Sequence, residues 1–258
     1  MKQKILSLTL FLALFIITGP AFAAAHNVIF WYPGEAGTTV EAQPILDEFL
    51  EYVSGKLKTS KLSGKYFNTT DGGISFISGS KPTIGIISYS AWESTKTKFP
   101  NAVVWLATNP LPHGQKQETY ELVSKGPLPA GSVAVYSSEP LSAEFIKDKL
   151  GFAVLKEFKA QQTPQILSKL KSIAEGTTSG VAILSPTEAV TFAKMSAQWT
   201  KSLRVIAKSK PVPTARVVLF GSLPSDATNL RQVLLDLRND PEVKDILTEL
   251  RLVGFSEP

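Results

Sequence analysis

Apolar runs and helically spaced apolar positions take turns along this chain. "NVIFWYP" (27–33) reads as a buried strand halted by Pro33-Gly34. In "TVEAQPILDEFLEYVSGKL" (39–57), Ile45, Leu46, Phe49, Leu50 and Val53 fall on one helical face. Thr38 or Thr39 is placed to cap that helix, with Glu41 in its first turn. "KYFNTT" predicts a strand, "DGGISFISG" a short helix, "TIGIISYS" a strand, "SAWESTKTKF" a helix and "AVVWLAT" a strand. Strand and helix alternating in this way predict an α/β sheet, mostly parallel.

"NPLPHGQ" (109–115) interrupts the pattern. It resumes with "ETYELVSKG" and "GSVAVYSS" as strands, "EPLSAEFIKDKLG" as a helix, and "FAVLKEF" as a strand or a short helix leading into one. "TPQILSKLKSIAEG" predicts a helix with Ile166, Leu167, Leu170 and Ile173 on one face, capped by Thr163 with Pro164 behind it. "SGVAILS" follows as a strand, "PTEAVTFAKMSAQ" as a helix and "LRVIAKS" as a strand. After a second break at "KPVPTA" (210–215), "RVVLFGS" returns as a strand, and helices over 225–238 and 241–251 close the chain. The two breaks bracket a self-contained α/β block. The expected organisation is an outer lobe of 24–108 with 212–258, an inserted lobe of 113–207, and a two-strand hinge at 109–112 and 208–211. A single continuous doubly wound sheet is the alternative.

The N-terminus fixes the expected compartment. Lys2 and Lys4, the apolar run Ile5 to Ile17, Gly19-Pro20 and then Ala21-Phe22-Ala23 form a secretory signal peptide cleaved after Ala23. Loss of this 1–23 leader leaves 25 basic and 22 acidic residues, a net charge of +3. The lysines are scattered, so no nucleic-acid partner is expected. With no cysteine, disulfides, thiol nucleophiles, zinc-thiolate sites and a lipidated N-terminal cysteine are excluded. The protein is expected free in the periplasm, as a monomer.

Enzymatic motifs are absent: there is no G-x-S-x-G, no H-E-x-x-H and no P-loop. "TTDGG" lacks the acidic partners of a calcium loop, and two histidines leave little for a metal. No catalytic residue, metal or cofactor is expected. What the pattern offers is hydroxyls where strands run into helices. These are Ser88-Tyr89-Ser90, Ser137-Ser138, Gln162-Thr163 and Ser185, with Tyr32 through Thr39 after the first strand. In a doubly wound sheet such strand ends converge on the ligand crevice. For each hydroxyl taken singly, helix capping without a ligand is the commoner role. Trp92 is expected to pack, His113 to sit exposed in the first hinge, and His26 to be frayed.

Several segments resemble one family. "ELVSKGPLPAGSVAVYSSEPLSAEFI" is similar to a glycine-led strand that enters a second lobe and runs into a serine-rich helix start. "KSIAEGTTSGVAILSPTEA", "LRVIAKSKPVPTARVVLFGSLP" and "NDPEVKDILTELRLVGF" resemble later segments in the same order, and "IGIISYSAW" an earlier one. These are the phosphonate/phosphate-type substrate-binding proteins of ABC transporters, periplasmic type II two-lobed proteins. The resemblance implies two α/β lobes closing on a small anionic solute, phosphonate- or phosphate-like, for an ABC permease in the inner membrane. A membrane sensor fed by the same cleft is the alternative partner. It implies ligand contacts from helix starts and hydroxyls, carried here by Tyr32, Thr39, Ser88, Tyr89, Ser90, Ser138, Ser142, Thr163 and Ser185. The family's "SGsHd" is replaced by "AQQTPQ" (160–165), and "StSGy" by "SEPLSAEF".

Overall fold

The computed structural model describes residues 24–35, 37–58, 60–128, 131–221 and 225–258. The expected leader, 1–23, lies outside them. The first part of the chain runs β1 (Ala24–Trp31), α1 (Thr39–Leu57), β2 (Ser60–Phe67), α2 (Thr70–Ser80), β3 (Ile84–Ile87), α3 (Tyr89–Thr95) and β4 (Ala102–Pro110). Two-residue β5 (Gln117–Glu118) leads to β6 (Glu121–Ser124), β7 (Val133–Ser137), a π-helical turn (Phe145–Leu150), β8 (Phe158–Gln162), α4 (Ile166–Glu175), β9 (Val181–Leu184), α5 (Pro186–Lys194) and β10 (Arg204–Lys208). Two-residue β11 (Val212–Pro213) returns the chain to β12 (Arg216–Phe220), α6 (Ala227–Asp236), α7 (Lys244–Glu249) and β13 (Leu252–Ser256).

Two sheets result. One has the order β13-β4-β12-β3-β1-β2 and the other β10-β6-β9-β7-β8, with the ribbon β5–β11 between them in sequence. In the first sheet β1 pairs in parallel with β2 and β3, whereas β12 is antiparallel to both β3 and β4. The chain crosses between the sheets twice, once from β4 through β5 to β6 and once from β10 through β11 to β12.

Period-two alternation sorts each strand between two apolar layers. Val28 and Phe30 of β1 join the α1, α6 and α7 side of the first sheet, with Leu46, Phe49, Leu230 and Leu247. Ile29 and Trp31 of the same strand face the opposite layer, with Ile77, Ala91 and Trp92 of α2 and α3. The second sheet is split likewise. Val181 and Ile183 of β9 pack with Phe145, Ile146 and Leu150, and Ala182 and Leu184 pack with Ile166, Leu170 and Ile173 of α4. Both sheets are therefore covered on both faces, the three-layer arrangement of α/β lobes. Gly73 lets α2 lie directly on Trp31, whose indole N–H donates to the Thr69 carbonyl at 2.9 Å; a Cβ there would meet the indole nitrogen at 2.2 Å.

Several local expectations change. "FAVLKEF" is neither strand nor helix down to Glu157; the strand begins at its last residue, Phe158, and runs on to Gln162. Thr163 does not cap α4; Gln165 does, without a side-chain bond, while the Thr163 N–H donates to the Ser137 carbonyl at 2.8 Å and prolongs the β7–β8 pairing. The last helix gives way to β13, the edge strand of the first sheet, whose Leu252 and Phe255 both join the core on either side of a register shift. His26 is not frayed. It is 3% exposed in β1, its Nε2 2.9 Å from Asp226 at the head of α6, and Ser60 donates to the same carboxylate.

Candidate functional site

A cavity of about 350 Å³ lies where the carboxyl ends of strands from both sheets meet. The first sheet brings Tyr32 and Pro33 after β1, Ser88 and Tyr89 after β3, and Thr108 and Pro110 of β4. The second brings Glu139 after β7 and Ser185, Pro186 and Thr187 after β9. Glu118 of β5 and Tyr120 enter from the first crossing.

Of the residues expected at the site, Tyr32, Ser88, Tyr89 and Ser185 line this cavity. Ser88 holds its place by donating its N–H to the Trp31 carbonyl at 3.0 Å and accepting the Ala91 N–H on Oγ at 3.4 Å, so it caps α3. Ser90 lies behind the wall, buried, donating its hydroxyl to the Glu139 carboxylate. Thr39 opens α1, but Thr38, one residue earlier, makes the wall. Ser138, Ser142 and Thr163 stand away from the lining. Ser138 is buried with its carbonyl accepting from Gln162 Nε2 at 3.0 Å, and exposed Ser142 accepts from the Phe145 N–H at 3.0 Å. Trp92 packs in the first sheet's core, and His113 is exposed.

The helix starts at the cavity are closed by their own side chains. At α1, Glu41 accepts from the Thr38 N–H at 2.7 Å while Thr38 Oγ1 accepts from the Glu41 N–H at 3.2 Å. At α5, Glu188 accepts from the Ser185 N–H at 2.8 Å and Ser185 Oγ from the Glu188 N–H at 3.4 Å. These reciprocal boxes place a carboxylate where a helix start would otherwise attract an external anion.

Three further carboxylates shape the site, and the sequence reading passed over all three. Glu35 pairs with Arg251. Glu139 accepts the Tyr120 hydroxyl at 2.9 Å as well as that of Ser90. The Glu118 carboxylate has no hydrogen bond or ion pair among the described residues, although its backbone pairs with Val212 of β11. Desolvation in the cleft is the main cause that pushes the Glu118 carboxyl up to about 8, with Glu139 and Glu35 adding repulsion. Desolvation also lifts Glu139, to about 7, against the lowering effect of Ser90 and Tyr120. Burial raises Glu35 despite Arg251, and it raises the Tyr32, Tyr66 and Tyr120 phenols. Glu139 lies two residues beyond β7 and Glu35 four residues beyond β1, in the same strand-end loops as the hydroxyl candidates Ser138 and Tyr32. A search for any polar residue at a strand's carboxyl end would have found them. Glu118 sits in a two-residue strand and leaves no such signal.

Among the described residues no helix is long and apolar enough to cross a membrane, and no group of histidine, aspartate and glutamate is arranged to hold a metal ion.

Residues 112–258, more than half of the chain, match the family described as ABC transporter, phosphonate, periplasmic substrate-binding protein. No curated protein matches. Among solved structures, the chain is similar to a binding protein component of an ABC phosphonate transporter from Pseudomonas aeruginosa. They share 14% identity over 92% of this chain and 82% of that one, with a TM-score of 0.64. PhnD1 from Prochlorococcus marinus, solved with methylphosphonate, is 13% identical over 92% and 93% of the two chains, with a TM-score of 0.64. A Xanthomonas citri protein bound to ATP is 13% identical over 91% of each chain, with a TM-score of 0.67. At such identities the likeness is one of fold, the two-lobed type II periplasmic binding fold. The family match goes further: this chain belongs to the periplasmic substrate-binding proteins of phosphonate ABC transporters, which bind a solute for an importer.

Proposed function

We propose that the mature chain, from Ala24 after removal of the 1–23 leader, captures a small solute between its two lobes. It then presents the closed form to an ABC permease in the inner membrane. The observation that carries this reading is the cavity itself, walled by strand ends of two separately cored sheets that only two chain crossings join. Such a site is assembled when the lobes approach and dismantled when they part. The lobes are 24–108 with 212–258 and 113–207, and 109–112 and 208–211 act as the pivot, steadied by the β5–β11 ribbon beside them. Tyr32, Ser88, Tyr89 and Ser185 contact the solute directly. Ser90 acts through Glu139.

Family membership makes phosphonate and phosphate the first solutes to offer, with amines and organic acids beside them. Bound solute stabilises the folded chain by about 3–4 kcal/mol when its concentration is hundreds of times its Kd or more. A thermal-shift screen across these classes is expected to give a rise of several degrees for the true class. Small-angle scattering with that solute is expected to show a smaller radius of gyration. An unchanged radius at saturation contradicts lobe closure.

A further inference from the structure

The charges around the cavity do not balance. Among the described residues, Glu35, Glu41, Glu118, Glu139 and Glu249 line it, against one cation, Arg251, which is already paired with Glu35. Glu41 is bound into its capping box. Glu118 and Glu139 form no ion pair among the described residues, although Glu188 also lies close enough to raise Glu139. Carboxylates gathered in a poorly solvated cleft without a counter-ion are unfavourable, and a cation brought by a ligand offsets that cost. An oxyanion would add to the repulsion, and the helix starts at α1 and α5 have given their cap N–H groups to glutamates. The apolar part of the wall points the same way. Tyr32, Tyr66, Tyr89 and Tyr120 line the cavity, and aromatic faces attract organic cations. Of the nearby arginines, Arg216 lies over the Tyr89 ring, 5.9 Å from its centre, and is not part of the lining.

From this we infer that the solute carries an organic ammonium group, seated between Glu118 and Glu139 and flanked by the tyrosines. The inference rests on the solute-binding reading above and names the group recognised.

The test is thermal shift followed by calorimetry on the chain from Ala24. One set of probes is choline, 1,4-diaminobutane and 2-aminoethylphosphonate; the amine-free set is ethylphosphonate and phosphate. At least one ammonium compound is expected to bind, and 2-aminoethylphosphonate to bind at least tenfold tighter than ethylphosphonate if both register. Glu118→Gln is expected to weaken the ammonium ligand at least tenfold while leaving the ligand-free melting temperature equal or higher, since it removes repulsion. That combination separates lost recognition from a damaged fold. Glu139→Gln checks the second carboxylate. Silence from every ammonium compound overturns the inference, as does ethylphosphonate binding as tightly as its amino counterpart. In either case a response from the amine-free set leaves the importer reading standing, whereas silence from both sets removes small charged solutes from that reading as well.

Discussion

Glu118 and Glu139 are carboxyl groups of the cleft without an ion pair among the described residues, and they give the protein a stability signature that pH can read. Their ordinary carboxyl value is 4.5, and the folded cleft raises it to about 8 and about 7. The folded state therefore holds protons that the unfolded chain releases above pH 4.5. Stability is full below that value and is lost as pH rises through 7 and 8. Among the groups facing them, Glu35 and Glu188 add repulsion, whereas the hydrogen bonds from Ser90 and Tyr120 to Glu139 counter the trend. The ligand-free melting temperature is expected to fall between pH 5 and pH 8, and Glu118→Gln to flatten that fall. Asp226 has the opposite sign. Burial raises its carboxyl, but the bonds from Ser60 and His26 outweigh burial and hold it below the ordinary value. Its contribution is present above the unfolded value and lost as the solution turns acidic. Asp226→Ala strands buried His26 and Ser60 and is expected to cost about 1–3 kcal/mol in chemical denaturation at neutral pH. None of this was legible residue by residue. A lone glutamate or aspartate in sequence looks like solvated surface, and only the tertiary fold, which brings position 26 to position 226, reveals otherwise.

At the scale of elements, legibility followed the strength of the local signal. The first helix was read with the bounds it has, because a capping box, a five-residue apolar stripe and a left-handed Lys58 end all agree. The strands β1, β3, β7 and β9 were found from their unbroken apolar runs. Their alternation divides residues between two layers rather than between core and solvent. The misses share a cause. β8 has the burial pattern of an edge strand, with Lys159, Gln161 and Gln162 exposed, so hydropathy gives it no strand character. β13 follows its helix after two residues, and the expected helix, which ended at 251, left these last residues without a strand. Close approach is likewise invisible in composition: "DGGISFISG" predicts a weak helix, yet Gly73 is what lets that helix touch Trp31. Gly73→Ala improves helix propensity but drives a methyl into the indole. The overpacking dominates, and a net loss of about 1–3 kcal/mol is expected in denaturant titration, without change in ligand specificity.

The whole molecule was legible as two lobes with two crossings because the proline-rich breaks fall where the chain passes between sheets. What the sequence could not show is how the lobes meet. Away from the β5–β11 ribbon, the described residues bridge them near the site in several places. Ser90 donates to Glu139, the Tyr89 and Phe145 rings lie 5.9 Å apart, Lys149 pairs with Glu93 at 2.8 Å, and Gly34 faces the Ser138 carbonyl. The ion pair is partly exposed, and such pairs contribute about 0–1 kcal/mol. Its loss in Lys149→Ala is worth no more than a few-fold in affinity. The Gly34 contact is of a different kind. Its φ is +86°, and a Cβ would lie 2.2 Å from the Ser138 carbonyl oxygen, backbone that cannot swing aside. Gly34→Ala therefore opposes closure sterically while leaving the core of each lobe untouched. Solute affinity is expected to fall by at least tenfold, with a radius of gyration that stays large when solute is added. A variant that compacts and binds as the parent does would mean that the two lobes come together without bringing Gly34 against Ser138.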